Sequence, residues 1–171
     1  MGLYNIKQYL ILSIMKSKTA TWFETKVRYE RVGEDGGMVK ATEVYAVDAI
    51  SFGEAEDRVL EELNKFTSSE VEVVGISIAN YKEVFISDDA NADKWYKAKL
   101  AFITIDEKTD KEKKTTVYYL VNAGNINSAL KNVDEIMSGT MVDYQTCNLS
   151  ETQIIDVFEY KKKTETTSES K

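Results

Sequence analysis

Between residues 21 and 32 the chain alternates with period two: Phe23, Thr25, Val27 and Tyr29 fall on one face, Trp22, Glu24, Lys26 and Arg28 on the other. That alternation describes a half-buried strand. Glu34-Asp35-Gly36-Gly37 follows as a hairpin turn, and residues 39–49 read as the partner strand. The period then lengthens. Ser51-Phe52-Gly53-Glu54 has the form of a capping box, in which the serine hydroxyl accepts from the N–H of the glutamate position. Ala55, Val59, Leu63 and Phe66 recur behind it at helical spacing, with Glu56, Asp57, Glu61 and Glu62 on the other side. A third extended stretch near 70–85, interrupted at Gly75, closes the unit.

The same order returns 73 residues further on. Trp22-Phe23-Glu24-Thr25-Lys26-Val27-Arg28-Tyr29 comes back as Trp95-Tyr96-Lys97-Ala98-Lys99-Leu100-Ala101-Phe102. The offset persists through Val32/Ile105 and Tyr45/Tyr118, becomes 74 at Ala49/Ala123, Ala55/Ala129 and Val59/Val133, and is 73 again at Phe85/Phe158. One insertion and one deletion account for the drift. The second unit reads as strand 95–106, polar turn Lys108 to Lys114, strand 115–123, a helix from Ile126 to Met137 capped by Asn125 or Asn127, and an extended stretch 142–159. The expected fold class is α+β, with internally duplicated strand-strand-helix-strand units and an antiparallel sheet carrying its helices on one face. Residues 1–18 form an N-terminal extension, 19–86 the first unit, 87–94 a linker, 95–160 the second unit and 161–171 a disordered tail. At this length the two units should share one core, with Ala55, Val59, Leu63, Ala129, Val133 and Met137 buried.

Composition narrows the chemistry. The single cysteine, Cys147, excludes an internal disulfide and fits a buried thiol in a reducing, cytoplasmic setting. Tyr9 to Met15 is apolar but too short to span a bilayer and lacks a signal-peptide cleavage pattern, so no membrane association is expected. There is no histidine, which removes the commonest general base, every Ser-His or Cys-His pair and the usual zinc ligand. Gly36-Gly37 lacks the Lys-Ser/Thr of a phosphate loop. Asp89-x-Asn91-x-Asp93 opens like a calcium loop, but Lys94 and Leu100 stand where glycine and a bidentate glutamate belong. The expectation is a protein that is not an enzyme and needs no cofactor or metal.

Two surfaces remain as binding candidates. Trp22, Lys26 and Arg28 share a strand face, and Trp95, Lys97 and Lys99 share the corresponding one. A tryptophan beside two cations can stack a base while neutralising phosphate, which points to single-stranded nucleic acid. If instead each tryptophan packs beneath the other unit, the cations pair with Glu24, Glu30 or Glu43. The alternative surface is the acidic helix face of Glu54, Glu56, Asp57, Glu61 and Glu62, suited to a protein-interaction adaptor or inhibitor of a host factor, although such faces are usually only solvated. Net charge is −7 overall; residues 21–86 carry 7 basic and 14 acidic groups and residues 95–160 carry 7 and 10, so the acid concentrates in the first unit. Self-association into a homo-oligomer stays open.

The runs Thr21 to Glu30, Ser51 to Glu56 and Ser87 to Leu100, with Gly139-Thr140-Met141 and Asp156-Val157-Phe158, resemble an uncharacterised family, "domain of unknown function 4494". The likeness covers Thr19 to Tyr160. It implies occurrence in Bacteroidetes and their tailed phages, hence a phage- or mobile-element-associated binding protein, and it carries no catalytic residue with it.

Overall fold

The computed structural model describes residues 15–18 and 20–160. The extension ahead of Met15 and the tail 161–171 lie outside the described residues. The strands are β1 Met15–Lys18, β2 Trp22–Val32, β3 Met38–Asp48, β4 Glu72–Ile78, β5 Tyr81–Ser87, β6 Lys94–Ile105, β7 Glu112–Ala123, β8 Asp143–Glu151 and β9 Ile154–Phe158; the helices are α1 Phe52–Leu63 and α2 Ile126–Ser138. The described part is mostly β with two helices.

The strands form two sheets, not the single antiparallel sheet expected. One runs β4-β2-β3-β9 and the other β8-β6-β7-β5-β1. Each contains one parallel pair, β3 with β9 and β5 with β7. The last strand of each half has therefore crossed into the sheet of the other. The crossing points fall at matching places: Ala79 N–H donates to the Trp22 carbonyl at 2.8 Å, and Thr152 N–H donates to the Trp95 carbonyl at 2.8 Å. Gly75 does not break its strand. It lies within β4 beside a bulge at Val74, matched in β8 by a bulge at Cys147.

Both helices begin as the caps require. Ser51 Oγ accepts from Glu54 N–H at 3.1 Å while a Glu54 carboxylate oxygen accepts from Ile50 N–H at 3.0 Å, and Asn125 Oδ1 accepts from Ser128 N–H at 2.9 Å. Ala55 packs with Phe23 and Ala49, and Val59 and Leu63 pack with Val27, Tyr45 and Val47. On the other side Ala129 meets Tyr96 and Ala123, while Val133 and Met137 meet Leu100, Tyr119 and Val121. Each helix thus covers one face of its sheet. The opposite faces meet each other through Trp22, Ala46, Tyr81, Val84, Trp95, Leu120 and Ile154, giving layers in the order helix, sheet, sheet, helix. Phe66 departs from the expected stripe: it lies past Leu63, where α1 has ended, and is 79% exposed.

Polar anchors match as well. Arg58 and Asn132 donate to the carbonyls of Asp48 and Asn122, and the side chains of Asp48 and Asn122 accept from Tyr160 N–H and Ser87 N–H. The last residue of β3 and the next-to-last of β7 thereby hold the ends of the exchanged strands. Asn122 also donates to the carbonyls of Ala92 and Lys94 at 2.9 and 3.0 Å, so the linker is stapled to the second sheet.

Candidate functional site

Trp22 and Trp95 are 0% and 5% exposed. They lie between the two sheets and form no stacking platform, which corrects the expectation that these two side chains stack bases. The physical reason is that the other sheet covers the face: a tryptophan buries more apolar area than any neighbour on β2 or β6, so it goes where the sheets meet.

The cations sit further along the same strands. Lys26, Arg28 and Lys99 are exposed, and Arg28 approaches Glu72 at 3.6 Å. Lys97 is half-buried, its ammonium 4.8 Å from the Tyr118 ring centre and 5.3 Å from that of Tyr81. Two of the three expected partners of these cations are otherwise engaged: Glu24 accepts from the Tyr81 hydroxyl, and Glu43 accepts from both Tyr29 and Tyr45 at 2.8 and 2.6 Å. Burial, then the adjoining carboxylate, holds the hydroxyls of Tyr45 and Tyr81 well above the ordinary tyrosine range.

On the acidic helix, Glu54 engages Arg58 and Glu62 pairs with Lys65 at 2.8 Å. Glu56, Asp57 and Glu61 are exposed. Beyond the C-terminal end of α1 a groove of about 600 Å³ opens between the β2–β3 hairpin, the loop after α1 and β9. Tyr29, Tyr45 and Phe158 line it, the last two stacked with ring centres 5.0 Å apart, and the exposed apolar side chains Val32, Met38, Phe66 and Ile155 surround it. Asp156 opens onto the same groove. Crowding around its carboxyl and the nearby Glu62 push it above the usual carboxylate range, against the Val157 N–H that it accepts at 2.8 Å.

The profile of a family described as "Domain of unknown function (DUF4494)" matches residues 21–160. The chain belongs to that family. In this DUF4494 member the match takes in both helices and every described strand except β1. No curated protein and no solved structure matches the chain.

Several residues that shape the DUF4494 surface gave no usable sequence signal. Val32 and Met38 pair across the β2–β3 hairpin and Phe66 follows α1, while Ile155 reaches them only through the exchange of β9. Cys147, expected as a buried thiol, is exposed because it is the bulged residue of the edge strand β8. The Asp89 segment forms a turn in which the Asp89 carboxylate accepts from Asn91 N–H at 2.9 Å. Among the described residues no three His, Cys, Asp or Glu side chains are placed to hold a metal. No described helix is long and apolar enough to cross a membrane.

Proposed function

We propose that this DUF4494 protein is a non-catalytic binding module, built by internal duplication, that docks a protein partner on the α1 side of the β4-β2-β3-β9 sheet. The observation that carries this reading is the gathering of Val32, Met38, Phe66 and Ile155 at one groove beside the acidic α1 surface. Exposed apolar side chains scattered singly need no explanation, whereas a contiguous patch with a polar border suits an interaction site. Glu56, Asp57 and Glu61 supply a field that would steer a basic partner. A reducing intracellular setting and an association with phage or mobile elements accompany the proposal from the sequence alone.

The test is capture of partners from host lysate with and without nuclease, using the wild type and a chain with Glu56, Asp57 and Glu61 reversed to lysine. A protein retained after nuclease and lost with the reversals supports the reading. Oligonucleotide recovered in its place, released by salt, would favour a second reading: exposed Lys26, Arg28 and Lys99 holding single-stranded nucleic acid by charge, without base stacking.

A further inference from the structure

We propose that Glu24 and Lys97 select which halves exchange strands, so that the chain closes on its own opposite half and not on the like half of a second copy.

Strand exchange poses a choice of partner, because the last strand of one half can in principle enter a sheet of its own chain or of another. The two sheets receive their visitors alike. Tyr81 enters the second sheet opposite Tyr118, and Ile154 enters the first opposite Val44. Glu24 and Lys97, each two residues past its tryptophan, pair with Ala46 of β3 and Leu120 of β7. Backbone geometry therefore does not separate like halves from unlike ones. The side chains do.

Glu24 and Lys97 stand at matching places with opposite charge. Both are half-buried, and both touch Tyr81, which is 5% exposed. Glu24 accepts from the Tyr81 hydroxyl across the seam between the sheets, while the Lys97 ammonium lies 5.3 Å from the centre of the same ring and 4.8 Å from that of Tyr118. A hydroxyl that donates to a carboxylate leaves its ring richer in electrons, which strengthens the ring's hold on a cation. Two first halves paired together would set a second glutamate where Lys97 stands, against the ring faces and near the other carboxylate. Two second halves would set a lysine at both places, with Ile154 instead of Tyr81 and no Glu24 opposite. Like pairing is penalised in both cases. Lys26 and Lys99, two residues further along, are exposed and carry the same sign in both halves, so they cannot draw unlike halves together. Between an unlike half of the same chain and one of another chain, the linker 87–94 favours the same chain through effective concentration.

The experiment refolds full-length Lys97→Glu, full-length Glu24→Lys and their equimolar mixture from urea, with assembly read by native mass spectrometry. Alone, each variant places like charges around Tyr81 and should give less folded monomer than the wild type. In the mixture, Glu24 of one chain again meets Lys97 of the other, so a mixed dimer should form and exceed either homodimer by about tenfold. Neutral Glu24→Gln and Lys97→Met chains, mixed in the same way, should show no such enrichment. A mixed dimer no more abundant than random pairing gives overturns the proposal. Equal enrichment with the neutral chains also overturns it, because loosening of the seam and not charge would then be the cause. Reversal variants that refold alone as fully as the wild type overturn it, as does a reversal mixture that stays unfolded where the neutral chains fold.

Discussion

At the scale of single residues, Trp22 and Trp95 carry the packing between the sheets. Replacing either with alanine leaves a large cavity and should cost about 3–5 kcal/mol, read from urea unfolding midpoints. A loss of oligonucleotide affinity without loss of stability would contradict this placement. Tyr45 and Tyr81 give a second expectation. Their hydroxyls are held above the ordinary value of 10.0, so the folded state binds the proton more tightly than the unfolded state. Stability from this source is present below pH 10 and is lost as pH rises beyond it. Chemical denaturation across the alkaline range should show that decline, and Tyr81→Phe should reduce its slope.

At the scale of elements, the two helices are alike in how they start and in what they bury. Ser51→Ala and Asn125→Ala remove equivalent caps and should each cost about 1 kcal/mol, measurable by thermal unfolding. The join between linker and α2 is tighter. A Cβ at Gly124 would stand 2.5 Å from the Asn91 carbonyl oxygen, so Gly124→Ala must displace backbone and should destabilise more than either cap variant in the same measurement. The helices, the two hairpins and all six expected core positions were legible because each depends on neighbours a few residues away. The breaks at Ala79 and Thr152 were not, since no glycine or proline marks them and both stretches stay extended on either side of the crossing.

At the scale of the molecule, strand exchange makes the halves interdependent. Residues 19–86 alone would contain β5 without the β7 that it pairs with, and their own β3 would lack β9. Neither 19–86 nor 95–160 should fold as an isolated monomer, while an equimolar mixture should recover β structure by circular dichroism. A dispersed amide spectrum from monomeric 19–86 would show that the exchanged strands are dispensable.

Local order follows from the sequence by itself: the period-two strands, the capped helices and the apolar stripes of α1 and α2 all arise from interactions close along the chain. Period two separates the faces of a strand but says nothing about what lies over each. The face with Trp22, Glu24, Lys26 and Arg28 is part apolar and part charged, so either water or a second sheet could cover it. Only the tertiary structure decided this. The crossings at Ala79 and Thr152 bring the two sheets together at their tryptophan ends, bury the aromatic part of that face, and leave Lys26, Arg28 and Lys99 in water. The same crossings carry β9 beside α1 and so assemble a groove from side chains as far apart in sequence as Val32 and Phe158.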